Sequence, residues 1–463
     1  DEELPGEASA LNASVTPHQR EELLEELASD DLEFLFLAPE QLAREDTVEA
    51  LRRAAPSLLV VDEAHCISEW GHDFRPDYLR LGRLAEELGH PTTLALTATA
   101  SPPVRDEIVQ RLRMSDPEVI VRGFDRPNIH LAVEHHHEEH AKRKALVERA
   151  LQLERPGIVY VATRHLADDL AEELRTLGLR AAAYHAGLPR KRRDEVQEGF
   201  MHDELELIVA TTAFGMGVDK PNIRFVLHHD PSDSVDSYYQ EIGRSGRDGE
   251  PARSVLFYRQ ADLGLRRFFA AGGHLDGETL ERVATVVRMA PGPLDPGELK
   301  DELDTSESKL MSALTRLDDV GAVSIRSDGR VESQPLLDDA LGEALHRAAR
   351  EELERQSFDR SRVDMLRAYA EHEHCRRVFV LSYFGEPHDG PCGYCDNCEA
   401  GHGAPTSGER PFGLGTRVAH RKWGEGVVQR YDGDQMVVLF DAAGYKTLSV
   451  ELVAEHELLE PAS

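Results

Sequence analysis

The sequence predicts an α/β protein in which two lobes with parallel sheets precede a helical segment, a metal-binding helical module and a small all-β barrel. Up to about residue 262, short apolar runs alternate with helical segments, which is the pattern of parallel strands connected by helices. Three cysteines cluster between Cys392 and Cys398, and short strands separated by glycines follow from Gly415. These three observations set the predicted order of domains.

Charge and cysteine content limit the classes of protein that fit. The 463 residues carry a formal net charge of −33, so DNA contacts would have to come from local basic clusters, such as 190–193, 376–377 and 417–422. No apolar run reaches membrane-spanning length and no signal-like segment opens the chain, so we expect a cytoplasmic, nucleoid-associated protein. Five cysteines favour a metal site in a reducing compartment over a disulfide framework.

The first predicted lobe covers residues 1–122. It begins with an amphipathic helix over 18–27 and a strand over 32–37, and a second strand is predicted over 58–61. This second strand is a short, wholly apolar run, as expected for a parallel strand buried on both faces. Its C-terminal end therefore lies at the edge where open α/β sheets bind ligands.

Two carboxylates, Asp62 and Glu63, directly follow this strand. A strand-end Asp can hold a phosphate-bound Mg²⁺, while the Glu beside it can orient and deprotonate an attacking water. Adjacent carboxylates also occur as ordinary solvated strand ends, so the pair alone leaves both interpretations open.

The residues that follow carry a family resemblance. Asp62-Glu63-Ala64-His65 resembles the DEAH box of superfamily 2 helicases, and the continuation from Cys66 to Pro76 resembles the aromatic-rich loop of RecQ DNA helicases. The resemblance implies catalytic roles for Asp62, Glu63 and His65 with MgATP. It also implies that the loop senses single-stranded DNA through three side chains, namely Trp70, Phe74 and Arg75. Flat rings and a guanidinium provide stacking platforms for bases, although core aromatics are the alternative.

A third strand is predicted over 92–96, and it ends in Thr97-Ala98-Thr99. Hydroxyls at this edge can hydrogen-bond to the carboxylates of the neighbouring strand and to a second lobe. The family's motif III has this form, and the resemblance places Thr97 and Thr99 among the DNA-contacting residues.

The second predicted lobe covers residues 123–262. It opens with Gly123-Phe124-Asp125-Arg126-Pro127-Asn128, which resembles the junction between the lobes of RecQ helicases. The strands predicted within it, each separated from the next by a helix, are 157–162, 181–184, 205–210, 225–228 and 254–258. The histidine-rich run 135–140 permits adventitious metal binding, but a solvated polar helix start is favoured.

Two further motifs lie in this lobe. The segment 210–221 resembles motif V, where glycines such as Gly217 let the backbone approach DNA phosphates and Asp219 borders the nucleotide; the resemblance adds Thr211 as a DNA contact. The segment 240–249 resembles motif VI and implies nucleotide binding by Gln240. Its two arginines, Arg244 and Arg247, lie three residues apart and can stabilise charge on a γ-phosphate.

A winged-helix-like insert is predicted over residues 263–345, with helices at 280–289, 296–303 and 306–320 and a hairpin at 322–331. Winged helices often bind nucleic acids, and a purely structural role is equally compatible with these acidic helices.

A zinc-binding module is predicted over residues 346–400. Four thiolates can close a tetrahedral Zn²⁺ site, and the set Cys375, Cys392, Cys395 and Cys398 has a spacing that resembles the RecQ zinc module. The fifth cysteine, Cys66, is expected to be a small core residue.

A linker, residues 401–411, leads to a barrel over residues 412–463. Its short alternating strands resemble the Tudor-like C-terminal module of UvrD-type helicases, which implies RNA polymerase as a partner. A DNA-holding or structural barrel is the alternative.

Together these resemblances imply a RecQ-like fold with two RecA-like lobes, the first incomplete. They also imply an ATP-dependent DNA helicase that moves 3′ to 5′, as the family does, in DNA repair or recombination. The expected cofactors are ATP, Mg²⁺ and Zn²⁺, and the expected substrates are single-stranded and forked DNA. The sequence contains no Gly-Lys pair and hence no G-x-x-x-x-G-K-[ST] phosphate loop, so we expect a piece of a longer protein that is inactive alone. The alternative is a catalytically silent DNA-binding or RNA-polymerase-associated protein.

Overall fold

The computed structural model describes residues 8–12, 15–29, 32–68, 75–215, 218–264, 277–326, 330–335, 338–388, 390–402 and 410–462. The chain divides into two compact units. One consists of Asp1–Val119 with Gly273–Gln356, and the other of Ile120–Gly272 with Ser357–Ser463. Of the helices described, none combines the length and apolarity needed to span a membrane.

The first lobe alternates strands and helices, but it opens with a strand that was not predicted. The expected burial of the strand over 58–61 on both faces is wrong, because Leu58 and Val60 are exposed. In chain order its elements are β1 (Ala8–Leu11), α1 (Pro17–Ala28), β2 (Phe34–Leu37), α2 (Glu45–Ala54), β3 (Leu58–Val61), α3 (Arg80–Glu87), β4 (Thr92–Ala95) and α4 (Pro102–Arg111). β1 pairs with β2 and β3 pairs with β4, both in parallel. The carboxyl ends of β3 and β4 therefore lie side by side.

The second lobe contains a six-stranded, wholly parallel sheet with strand order β5-β10-β9-β6-β8-β7. Its elements are β5 (Ile129–His135), α5 (Glu139–Gln152), β6 (Gly157–Tyr160), α6 (Arg164–Thr176), β7 (Ala181–Tyr184), α7 (Arg190–Met201), β8 (Leu207–Ala210), β9 (Phe225–His228), α8 (Val235–Ile242) and β10 (Ala252–Tyr258). Every residue of the central strands β6, β8 and β9 is buried, which explains their continuous apolar runs.

The first strand of this sheet, β5, was not predicted from the sequence. It carries His130 and Glu134 next to its apolar residues and lies at the edge of the six-stranded sheet, beside β10, with a single further bridge from Leu131 to Cys395. The histidine-rich run begins at its last residue, and the following helix starts at Glu139. Among the described side chains, these histidines belong to no group close enough to hold a metal ion.

The insert forms three helices and a hairpin close to the predicted positions: α9 (Gly277–Met289), α10 (Pro296–Leu303), α11 (Glu307–Asp319), β11 (Val323–Ile325) and β12 (Val331–Ser333). The hairpin turn, residues 327–329, lies outside the described residues. Leu280, Leu310 and Leu314 form part of a common core. The guanidinium of Arg83 in the first lobe bonds both carboxylate oxygens of Asp318 at 3.0 Å, so the insert is anchored to that lobe.

The remaining elements form the zinc-module helices and the barrel. They are α12 (Asp338–Ala370), α13 (Arg376–Tyr383), α14 (Asp396–Glu399), β13 (Arg417–His420), β14 (Gly424–Asp432), β15 (Gln435–Phe440), β16 (Gly444–Ser449), α15 (Val450–Glu455) and β17 (Glu460–Pro461). The barrel sheet is antiparallel with strand order β16-β15-β14-β13-β17. Val428, Val438 and Phe440 are fully buried in its core.

Candidate nucleotide, DNA and zinc sites

The DEAH box lies at the carboxyl end of β3. After buried Val61, Glu63 adopts a left-handed backbone conformation (φ 48°, ψ 42°), and the Asp62 carboxylate accepts a hydrogen bond from the Glu63 amide at 2.8 Å. Asp62 is exposed and the Glu63 side chain is 29% exposed. Both carboxylates are therefore accessible at the edge where the sequence predicts a nucleotide.

His65 connects the DEAH box to the end of β4. Its ring is buried, and its Nδ1 lies 2.9 Å from the Thr97 hydroxyl and 3.3 Å from a Glu63 carboxylate oxygen. The Thr97 hydroxyl thus reaches the DEAH box through the His65 ring. Thr99 is buried, and its amide donates to the Thr97 hydroxyl at 3.2 Å. DNA contacts by these two threonines stay predictions.

Two of the three predicted DNA-sensing side chains, Trp70 and Phe74, lie outside the described residues. Arg75 is described, and its amide donates to the Cys66 carbonyl at 2.9 Å. Tyr78 lies three residues after Arg75. Burial raises the pKa of Tyr78 to about 12, which keeps the phenol neutral. Cys66 is fully buried, as a core residue should be.

Motif V follows β8 in the second lobe. Thr211 comes directly after that strand, and its hydroxyl accepts from the Ala213 amide at 3.5 Å. Phe214 is buried beneath the loop, whereas Asp219 is exposed. Gly217 lies outside the described residues. The motif therefore presents Thr211 and Asp219 on a loop anchored to the core.

Motif VI extends from α8 into the following loop and contacts motif V. Partly buried Gln240 lies on α8, and the two arginines follow its end. Arg244 is buried and donates to the Gly215 carbonyl at 2.5 Å, while Arg247 pairs with the Asp219 carboxylate at 2.6 Å. Two motifs that are separate in the sequence thus form one surface of the second lobe.

Two further groups position motif VI and were given no role by sequence reasoning. Arg126, from the segment that resembles the lobe junction, donates to the carbonyls of Gly243, Ser245 and Gly246 at 2.9, 2.8 and 3.0 Å. The Glu241 carboxylate accepts from the Ser232 hydroxyl at 2.5 Å and lies 2.7 Å from His228 Nε2. The contacts of Arg126 join residues more than a hundred positions apart, and such contacts leave no local signal in the sequence.

The four predicted cysteines converge, with all Sγ atoms within 4.8 Å of one another. Sulfurs bound tetrahedrally to Zn²⁺ at about 2.3 Å lie about 3.8 Å apart, and the Cys392 and Cys398 sulfurs are 3.9 Å apart. Backbone amides of Cys392 and Tyr394 donate to the sulfurs of Cys375 and Cys392, both at 3.3 Å. The residues fit Zn²⁺.

The prediction that the basic cluster 376–377 contacts DNA is wrong. Arg376 and Arg377 are buried and not available to DNA. Arg376 donates to Asp396 at 2.6 Å, and the other Asp396 oxygen accepts from the Val133 amide of β5 at 2.8 Å. Arg377 donates to the Ile129 carbonyl at 2.8 Å. These arginines fasten the zinc module to the second lobe.

Comparison with known proteins gives three family matches. A DEAD/DEAH box helicase model matches residues 3–108, a helicase conserved C-terminal domain matches 141–249, and a RecQ zinc-binding domain matches 337–399. These matches cover the two lobes, which are RecA-like, and the zinc module.

Three curated relatives agree. The probable ATP-dependent DNA helicase RecS of Bacillus subtilis is 35% identical over 84% of this chain and 75% of its own length. ATP-dependent DNA helicases named RecQ from Pasteurella multocida and Haemophilus influenzae are 42% and 33% identical, over 55% and 85% of this chain. The chain spans 40% and 51% of the lengths of these two proteins. It belongs to the RecQ-like family of superfamily 2 helicases.

Proposed function

We propose that this protein is an ATP-dependent DNA helicase that moves 3′ to 5′ on single strands and unwinds duplex DNA during repair or recombination. The observation that carries the proposal is the accessible Asp62 and Glu63 pair at the carboxyl end of β3, tied through His65 to Thr97. The names of the RecS and RecQ relatives support the same activity.

Each site residue has a proposed part in hydrolysis. Bound Mg²⁺ would neutralise phosphate charge, and Asp62 would hold it. Glu63 accepts a proton from the attacking water, and His65 keeps that carboxylate in place through its 3.3 Å contact. In the second lobe Arg244 and Arg247 meet charge developing on the γ-phosphate, with Gln240, Gly217 and Asp219 bordering the nucleotide. The family resemblance implies the nucleotide contacts of Gln240, Gly217 and Asp219.

DNA contacts are proposed for a second set of residues: Trp70, Phe74, Arg75, Thr97, Thr99 and Thr211. Stacking of bases on rings and a guanidinium tolerates any sequence, as a translocating enzyme requires. The chain is strongly acidic overall, so binding depends on such local contacts rather than on a general positive field.

The test uses the full-length protein and two DNA substrates that differ only in the polarity of the single-stranded tail. We expect ATP hydrolysis to be stimulated by single-stranded DNA, and unwinding of the duplex with a 3′ tail but not of the duplex with a 5′ tail. Hydrolysis without DNA stimulation would contradict the proposal, and preference for the 5′ tail would reverse the assigned polarity.

RNA polymerase association through the barrel, and with it a location at the nucleoid, is a narrower proposal. Exposed Arg421 and Lys422 support it by giving the β13–β14 turn a basic surface. Part of the Trp423 ring is covered by neighbouring rings. It stacks on His420, with ring centroids 4.1 Å apart, and its centroid lies 5.4 Å from that of Phe440. Arg417 is engaged by Asp441 at 2.6 Å. Reversing Arg421 and Lys422 to Glu in the full-length protein should abolish co-purification of RNA polymerase, and unchanged co-purification would contradict this partner.

A further inference from the structure

The barrel is docked on the zinc-module helices by a buried face of its sheet. Arg430, Val437, Leu439 and Tyr445 lie on the side opposite the barrel core, yet each is at most 5% exposed. The Arg430 guanidinium lies 3.7 Å from the centroid of the Phe379 ring on α13. An isolated barrel would leave this face in water, so the docked arrangement buries it.

The end of the β15–β16 hairpin touches α12 directly. The Tyr445 amide donates to the Ser361 hydroxyl at 3.0 Å, and the Ser357 hydroxyl donates to the Ala443 carbonyl at 3.3 Å. Gly444, between them, has a positive φ of 69°, and a Cβ there would lie 2.3 Å from Ser361 Oγ and 3.0 Å from the Phe358 Cα. The fit leaves no room for a side chain at this position.

The same helices hold α8, the helix that leads into motif VI. Tyr445 stacks on the Tyr383 ring, with centroids 5.2 Å apart, and the Tyr383 hydroxyl donates to the buried Asp236 carboxylate on α8. Arg362 of α12 lies 3.5 Å from the same carboxylate and donates to Ser234 at 3.1 Å.

The Ser234 hydroxyl caps α8 by accepting from the Ser237 amide at 3.1 Å. On the next turn the Tyr238 hydroxyl lies 3.1 Å from the Tyr369 hydroxyl of α12. Buried contacts therefore run without interruption from the barrel, through the zinc-module helices, to the amino-terminal half of α8.

We propose that Asp236 is a positioning residue for ATP hydrolysis, and that the barrel sets its position through Tyr445 and Tyr383. Arg244 and Arg247 follow α8 by only a few residues, and Arg126 ties down that end, so the helix is fixed at both ends. Displacing a transition-state contact by about 1 Å can lower a rate about 100-fold without loss of binding. This inference rests on the proposed hydrolytic function of motif VI.

The first test compares Gly444→Ala with Gly433→Ala in the full-length protein. Both glycines lie at hairpins of the barrel with positive φ (69° and 60°), but a Cβ on Gly433 meets nothing within 4 Å. Backbone strain is therefore matched, and only Gly444 probes the docked face. We expect Gly444→Ala to lower kcat at least about 10-fold with KM for ATP changed less than about twofold. Gly433→Ala should match the wild type, with one zinc retained in both. Equal kcat in the two variants would overturn the proposal.

A second pair of variants tests the proposal if Gly444→Ala fails to fold. Tyr383→Phe keeps the ring stacked on Tyr445 but removes the hydrogen bond to Asp236. Tyr431→Phe, the control, loses a hydroxyl bonded to the Phe412 carbonyl inside the barrel at 2.8 Å. We expect a lower kcat at unchanged KM for Tyr383→Phe alone, and wild-type kcat in that variant would contradict the proposal.

Hydrogen exchange separates failure of this inference from failure of the proposed function. If the wild-type protein hydrolyses no ATP, the function is wrong, but the positional claim is still measurable. Amides of α8 should exchange faster in Gly444→Ala and Tyr383→Phe than in their two controls. Equal exchange of α8 in all four variants would overturn the positioning role whatever the enzymatic result.

Discussion

The guanidinium of Arg247 lies 2.6 Å from the carboxylate of Asp219, which joins motif VI to motif V on the second lobe. The two side chains are 37% and 84% exposed. An exposed ion pair contributes only about 0–1 kcal/mol, so a nucleotide phosphate can replace the carboxylate as the partner of Arg247. Arg244, in contrast, is buried and bonded to the Gly215 carbonyl.

The two arginines should therefore respond differently to substitution. Arg247→Ala should lower kcat about 10³-fold or more, as loss of an arginine that meets transition-state charge does, with little change in Tm or nucleotide affinity. Arg244→Ala should lower kcat and also Tm, because the Gly215 carbonyl loses its charged donor and is left with the longer bond from the Val218 amide at 3.4 Å. ATPase kinetics and thermal unfolding measure both. Equal losses of kcat and nucleotide affinity for Arg247→Ala would indicate a binding role only.

Removing the hydrogen bonds that Arg126 donates to the motif VI loop should destabilise the second lobe. Arg126→Met leaves the Gly243 and Ser245 carbonyls of the motif VI loop without this donor, at a cost of about 1–3 kcal/mol for each one that stays buried. The Gly246 carbonyl keeps the Asn128 side chain and the Gly249 amide as donors. Arg122→Met is the control, since Arg122 is exposed four residues earlier. Denaturant unfolding should show a lower midpoint for Arg126→Met but not for Arg122→Met. Equal midpoints in the two variants would show that the Arg126 hydrogen bonds do not stabilise the lobe.

Loss of zinc should unfold the module around residues 375–398. Replacing Cys392 or Cys395 by Ser should release about one Zn²⁺ per chain, because metal binding and folding share one free energy in such sites. Cys66→Ala, in the first lobe, should keep its zinc. Metal analysis and circular dichroism are the measurements, and a wild-type protein that is folded without metal would contradict the assignment.

Sequence patterns predicted the lobes because their signals are local. Each central strand is a short apolar run, and motifs V and VI place their polar residues directly after strands or helices. The four cysteines of the zinc site could also be predicted from the sequence, since cysteine clusters with this spacing have few other functions. The edge strand β5 was missed because polar residues interrupt its apolar pattern.

Contacts between residues remote in sequence could not be predicted from such local patterns. Arg376 and Arg377 have the composition of a DNA-binding cluster, and only the fold shows that they are buried against β5 and Asp396. The glycine-rich linker likewise predicts a separate barrel, whereas Tyr445 and Arg430 pack against the zinc-module helices. Burial of a polar side chain depends on its partner, and the partner is remote in sequence.

Glu63 is proposed to activate the water for the ATP hydrolysis that drives DNA unwinding. The most direct measurement compares single-stranded-DNA-stimulated ATP turnover and unwinding by the full-length protein and its Glu63→Gln variant. We predict that the variant binds ATP and DNA nearly as well as the wild type, while kcat falls about 10²–10⁴-fold and unwinding is lost. Near-normal turnover by Glu63→Gln would contradict this role of Glu63.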